Sequence, residues 1–210
     1  MKSTFIHAAR ALMKLQEVRF KVASNHSWRV AAYAAALAKK LGMPEKEQNC
    51  IYLAGLLHDI GKLGISSSIL HKPGKLTAAE WEEIKKHPVY SYEIISAIPG
   101  MKAISLMVLY HHERYDGCGY PEGLGGEAIP LGARILAVAD SFDAMTSDRV
   151  YRPRMSIKMA TEELYRCAGT QFDPQLVEVF CCRVVPEGIN PELYRITGNV
   201  PGGVKHLRNN

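Results

Sequence analysis

The residues best suited to chemistry lie between His111 and Asp140, a stretch reading HHERYDGCGYPEGLGGEAIPLGARILAVAD. Two adjacent histidines close an apolar run. A glycine-rich loop with one Gly-Tyr-Pro follows, and a new apolar helix then carries Asp140. Nitrogen donors, a pliable loop and an oxygen donor in that order suggest a metal site beside a substrate loop. More donors face inward upstream. His26 lies four residues before Val30 in the first turn of a helical run, which sets it on the buried face. His58 and Asp59 sit in CIYLAGLLHDIG, from Cys50 to Gly61, which is apolar almost all round and reads as a central helix. Placing both there is costly unless they are paired or bind metal. Trp81, Ile84 and His87 recur every three residues, which turns His87 inward on one helix.

Taken singly, these residues have plainer readings. A histidine on an apolar face is usually a satisfied core residue. Lys62 alone would be a solvated helix-end cation, and the glycines an ordinary loop. Asp143 would hold Arg149 or cap a helix, and Arg149 and Arg152 would form a solvated basic turn. Five histidines and two carboxylates facing inward together resist that reading: His26, His58, Asp59, His87, His111, His112 and Asp140. They exceed the needs of one cation and suit two. Imidazole with carboxylate suits iron, manganese or zinc, and the absence of thiolates argues against a structural zinc site. A bridging carboxylate and a bridging hydroxide would hold such a pair about 3.5–4 Å apart. The pair acidifies a bound water and clamps phosphate oxygens. Two divalent ions, two carboxylates and a hydroxide leave a charge of about +1, which favours an anionic phosphodiester. Lys62, one turn beyond Asp59, is the best-placed proton donor for a leaving oxygen. Tyr120 offers a ring for a base and a hydroxyl for phosphate. Arg149 and Arg152 can fork onto phosphate or a guanine edge.

The elements that must position these groups read as helices. Thr4 to Arg19 has an amphipathic pattern, with Phe5, Ala9, Leu12 and Met13 on one side and a solvated His7. Ser24-Asn25 can cap a helix that runs to Gly42. GISSSILHKPGKL reads as a connecting loop, and Thr77 to Glu80 as a capping box. Pro88 ends one helix and opens the next. Ile104, Met107, Val108 and His111 share a stripe. Leu136, Asp140 and Asp143 share a face of a helix from Leu131, with Ile135, Val138 and Phe142 on its core side. Ser156 caps a helix ending at Gly169, and Asp173-Pro174 starts a last one to about Val184. With no strand pattern and about nine helical segments, the expected fold is all-α, a compact bundle. Expected units are a leading helix (1–22), a catalytic domain (23–186) and a partly mobile extension (187–210).

Composition sets the class. A chain of 210 residues can bury roughly 70–75% of its unfolded surface without disulfide or structural metal. No apolar run approaches the roughly 20 residues of a membrane span, and the N-terminus lacks a signal peptide's apolar core, so a cytoplasmic location is expected. The five cysteines, without CxxC spacing, read as reduced and mostly buried, Cys118 between two glycines excepted. A net charge of +5 suits an anionic partner but is too mild and scattered for a nucleic-acid duplex.

HDIGK at His58–Lys62, with HHE and DGCGYPEGL between His111 and Leu124, resembles the HD-GYP domain, a branch of the HD phosphohydrolases. The likeness continues through KPGKLTAAEW, KHP, GARILAVADSFDAMTSDRVYR and GTQFDP, from about His26 to Phe180. It implies an all-α HD-type bundle that hydrolyses cyclic di-GMP to pGpG or GMP with iron or manganese. It further implies His26, His58, Asp59, His87, His111, His112 and Asp140 as ligands, with Asp59 bridging. Lys62 would be the proton donor, and Tyr120, Asp143, Arg149 and Arg152 substrate-side residues. Members with a third metal have a Glu four residues before the first histidine. Val22 stands there, so two cations are expected. Ser66-Ser67 replaces the usual Pro-Asp. Members commonly carry a sensor or receiver domain before this module, which leaves a free-standing module and an excised domain as readings. A homo-oligomer or a regulatory protein partner fits either. Two other functions stay open: a non-catalytic cyclic di-GMP receptor, and an HD enzyme acting on another nucleotide.

Overall fold

The computed structural model describes residues 11–16, 18–19, 24–148 and 153–189. The two separated segments within 11–19 are helical. Nine further α-helices follow among the described residues: α1 (Ser24–Lys40), α2 (Glu45–Leu57), α3 (Ser67–Leu70), α4 (Ala78–Ile84), α5 (His87–Ser96), α6 (Lys102–Leu109), α7 (Leu131–Thr146), α8 (Ile157–Arg166) and α9 (Pro174–Val179). Short 3-10 helices span Ile60–Gly64 and Gly126–Ala128, and a π-helical turn spans Phe180–Val184. The described residues hold no strand, only the isolated bridges Asp116–Gly125 and Ala168–Phe172. The all-α expectation holds. His7, Phe5, Ala9 and Val22 fall outside the described residues, as do Arg149, Arg152 and the tail from Asn199.

Helices α1 and α2 pack closest because both present small residues at their crossing. Ala31, Ala34, Ala35 and Ala38 are buried on α1, and a β-carbon on Gly55 of α2 would lie 2.6 Å from Ala31 Cα. α7 lies across α1, and α6 packs on α2 and α5. The far side is closed by an aromatic cluster of Tyr33, Phe142 and Phe180, with ring centroids 5.1–5.8 Å apart in edge-on arrangements. Two capping expectations are met. Thr77 and Glu80 form a reciprocal capping box on α4. Asp173 accepts from the Gln175 and Leu176 amides at the start of α9, and its other oxygen meets Arg134 of α7 at 2.5 Å.

Four expectations need correction, each for a local reason. The helix expected through Gly61 ends at Leu57. His58 caps it, and the chain tightens into i→i+3 bonding, with Lys62 N–H donating to Asp59 O at 3.0 Å. Trp81 and His87 do not share a helix. Pro88, lacking an N–H, opens α5, so the chain turns at Lys85–Lys86; Trp81 is 45% exposed while His87 is buried. The segment after Gly64 is not all loop, because α3 forms within it. α8 stops at Arg166, before Gly169, whose φ of 80° the turn uses. Cys182 is also exposed, as Cys118 is, so cysteine burial is less general than expected.

Gly61 is where the fold tolerates no side chain. A β-carbon there would lie 2.1 Å from His87 O and 2.5 Å from Ser91 N. Gly61 N–H donates to Ser91 Oγ at 2.8 Å, and Ser91 Oγ–H donates to His58 O at 3.0 Å. One buried serine thus locks the His58–Asp59 turn onto the first turns of α5. Gly61→Ala should destabilise the protein by about 1–3 kcal/mol and lower its metal content, because His58 and His87 would be pushed apart. Gly64→Ala should cost less, since its nearest neighbour is the Tyr90 ring. Chemical denaturation and elemental analysis check this. Equal stability and metal content in Gly61→Ala and parent would contradict it.

Candidate metal centre

Seven side chains from separate parts of the chain meet in one place. Their ligand atoms form three overlapping groups, each within 4.8 Å: His26, His58 and Asp140; His58, Asp59 and His111; and His87, His111 and His112. His26 comes from the first turn of α1, and Asp140 from the middle of α7. The others lie at ends of elements: His58–Asp59 after α2, His87 at the start of α5 and His111–His112 after α6. The stripes expected for His26, His111 and Asp140 lead to the centre, but five of the seven side chains sit where a helix begins or stops rather than on its continuous face.

Three histidines are held alike. His58 Nδ1 lies 2.7 Å from Gly55 O, His87 Nδ1 2.8 Å from Ile84 O, and His111 Nδ1 2.6 Å from Val108 O. A carbonyl oxygen only accepts, so Nδ1 carries the proton in each and Nε2 keeps its lone pair. All three Nε2 atoms are buried with no hydrogen-bond partner. An imidazole fixed through one nitrogen, with the other bare and aimed at carboxylates, is the arrangement of a metal ligand and its outer support. His26 uses a carboxylate instead: its Nδ1 lies 2.7 Å from Asp143 Oδ2, and its Nε2 lies 3.2 Å from Asp140 Oδ1.

Asp59 faces both halves of the cluster. Its Oδ1 is 3.4 Å from His87 Nε2, and its Oδ2 is 3.5 Å from His58 Nε2 and 2.6 Å from Lys62 Nζ. Burial raises its pKa, yet Lys62 and then the surrounding histidines hold it well below the usual carboxylate range. Asp140 is likewise held low against burial, chiefly by His26. Burial pushes His87 down to about 3, His112 to about 4 and His111 well below its usual value. Neutral imidazoles and ionised carboxylates are the protonation states that a cation needs. His26 departs from this: burial lowers its pKa, but Asp140 and Asp143 outweigh burial and bring it to about 9.

Asp143, expected among the substrate-side residues, packs against His26 and Arg29. It is buried, and besides His26 it meets Arg29 Nε at 2.5 Å and a second guanidinium nitrogen at 3.0 Å. Arg29 also donates to Ser147 Oγ at 2.8 Å. The helical face shared by Asp140 and Asp143 points at α1, so its second carboxylate orients a ligand of the first. Arg29 was not read from the sequence; a basic residue three after His26 is its only signal. Tyr120 stacks on His112, with centroids 4.9 Å apart at 28°, and Lys85 Nζ lies 5.9 Å from its ring centroid. One ring face is therefore already taken by a ligand histidine. Arg149 and Arg152 lie outside the described residues.

If Asp143 acts through His26, Asp143→Ala should weaken metal retention about 10–100-fold. The variant should recover when metal is supplied in excess, with little change in substrate KM. A raised KM at full metal occupancy would return Asp143 to the substrate side.

An HD domain family model matches residues 10–176. The cyclic di-GMP phosphodiesterase response regulator RpfG of Xanthomonas campestris is 44% identical over 179 residues, covering 84% of this chain and 46% of that protein. The 3'3'-cGAMP-specific phosphodiesterase 2 of Vibrio cholerae is 42% identical over 165 residues, covering 78% of this chain and 32% of that protein. The chain thus spans less than half the length of these curated relatives. Among solved structures, Bd1817, an HDG"Y"P protein from Bdellovibrio bacteriovorus, shares the fold with a TM-score of 0.60 at 21% identity, over 80% of this chain and 53% of that one. With HDIGK, HHE and GYP in their expected order and their histidines gathered around two carboxylates, the chain belongs to the HD domain family, in its HD-GYP branch.

Proposed function

We propose that this chain is a metal-dependent phosphodiesterase that hydrolyses cyclic di-GMP to pGpG, GMP or both. The observation that carries the reading is the set of three buried, unpartnered Nε2 atoms facing two carboxylates. A pair of divalent cations would satisfy all of those lone pairs at once. The donor set fits two divalent ions, iron or manganese in preference to structural zinc, with His26, His58, Asp59 and Asp140 toward one side and His87, His111 and His112 toward the other. Asp59, whose two oxygens face the two sides, would help hold both ions. When bound, the cations would supply Lewis acidity and an acidified water at the phosphodiester.

The chain's own residues would do the rest. His58, His87 and His111, held through Nδ1 by carbonyl oxygens, keep their inward Nε2 lone pairs free for the cations. Lys62, one-third exposed, places its Nζ 2.6 Å from Asp59 Oδ2. It would donate an Nζ proton to the leaving 3'-oxygen as the P–O bond to that oxygen breaks and a P–O bond forms to the oxygen of hydroxide, left after water gives a proton to solvent. Tyr120, braced on His112, would offer its remaining edge and hydroxyl to the dinucleotide.

A second substrate is favoured by one finding: a relative named as specific for 3'3'-cGAMP is nearly as similar as the one named for cyclic di-GMP. The deciding experiment is anaerobic loading with iron or manganese, followed by chromatography of products from cyclic di-GMP, 3'3'-cGAMP and cyclic di-AMP. Cyclic di-GMP should be consumed to pGpG or GMP, and His58→Ala and Asp59→Ala should abolish turnover. No turnover of cyclic di-GMP with either metal would defeat the proposal. Faster turnover of 3'3'-cGAMP would reassign the substrate.

A further inference from the structure

Glu113 directly follows the two adjacent ligand histidines and is itself 3% exposed. No step above uses it. A carboxylate this deep needs donors, and the structure shows where one oxygen finds them. Oε1 accepts the backbone N–H of Glu122 at 2.7 Å and of Gly123 at 3.0 Å. Oε2 is buried with no partner, so Oε1 alone ties the side chain down. Both donors belong to the turn that carries Tyr120. The same turn meets the ligand segment at two more points: Tyr120 N–H donates to His112 O at 3.2 Å, and the Tyr120 ring stacks on the His112 imidazole. A β-carbon on Gly119 would lie 2.4 Å from Arg114 N and 2.5 Å from Glu113 Cα, so this glycine lets the turn lie directly on the Glu113 backbone.

We infer that Glu113 is a positioning residue that clamps the Gly119–Gly123 turn onto the His111–His112 ligand turn, so that the substrate-side Tyr120 is set by the metal centre itself. Two N–H groups converging on one oxygen of a buried side chain make an anchor that a single contact would not match. Gly117 and Gly123, at φ values of 78° and 72°, give the loop little stiffness of its own. The anchor therefore decides where Tyr120 stands. The catalytic consequence rests on the phosphodiesterase reading; the clamp does not.

The test uses the full chain loaded with manganese and three variants. Glu113→Gln keeps an acceptor oxygen at the Oε1 position. Glu113→Asp keeps the carboxyl group but withdraws it by about 1.5 Å, one carbon–carbon bond. Glu113→Ala removes both. Hydrogen–deuterium exchange at the Glu122 and Gly123 amides should be faster in Asp and Ala than in parent or Gln, with metal content unchanged in all. With cyclic di-GMP, KM should rise about tenfold in Asp and Ala and by less than about threefold in Gln, and kcat should change less than KM. If Ala does not fold, the Asp and Gln pair decides. Gln behaving like Asp, unchanged exchange or KM in Asp, or metal loss in step with activity would each overturn the inference. A parent that turns over no cyclic dinucleotide would sink the functional reading instead, and the exchange measurement would still decide whether Glu113 clamps the turn.

Discussion

Everything in this molecule depends on bare imidazole nitrogens kept out of water. Burying a polar atom without a partner costs on the order of 1–3 kcal/mol, and here three Nε2 atoms are buried so at one point. Each ring is fixed in that state by the carbonyl three residues before it. The rings therefore cannot turn to satisfy themselves without breaking the Nδ1 contact. The carboxylates opposite them are deprotonated and nearly enclosed. Such a cluster carries its own frustration, and a cation resolves it for every member together.

The rest of the architecture reads as the means of holding that frustration still. The alanine-rich face of α1 and Gly55 of α2 allow the closest helix approach, which sets His26 against Asp140 and His58. Gly61 and Ser91 bind the His58–Asp59 turn to the start of α5, and hence to His87. Arg29 and Asp143 orient His26 from behind. Arg134 and Asp173 tie α7, which carries Asp140, to α9. Apart from α1 and α2, which are consecutive, these contacts join elements separated in sequence, so the ligands are specified by packing and not by any one segment.

Much of this was legible in the chain. Apolar periodicity turned His26 and Asp140 inward, and Thr77, Ser156 and Asp173 marked helix starts that the structure keeps. Periodicity misled where a helix ends. His58, His87 and His111 look like members of stripes, yet they lie just outside them or at their first residue, where 3-10 turns, a proline and a C-cap redirect the chain. A ligand at a helix end can use the free carbonyl of the last turn, which a mid-helix residue cannot, and sequence pattern does not distinguish the two cases. The surroundings of Asp143, Arg29 and Glu113 are not legible in the sequence for a related reason. Their partners lie on other elements, or in Glu113's case across a loop whose path the glycines leave open. Arg149 and Arg152 remain sequence expectations.

These seven side chains are proposed to hold a pair of cations. Crystals grown anaerobically with manganese, measured at the manganese absorption edge, test this directly. The account predicts two anomalous peaks about 3.5–4 Å apart on either side of the Asp59 carboxylate, with the Nε2 atoms of His58, His87 and His111 turned toward them. A single peak, or manganese bound away from the histidines while their Nε2 atoms stay bare, would contradict it.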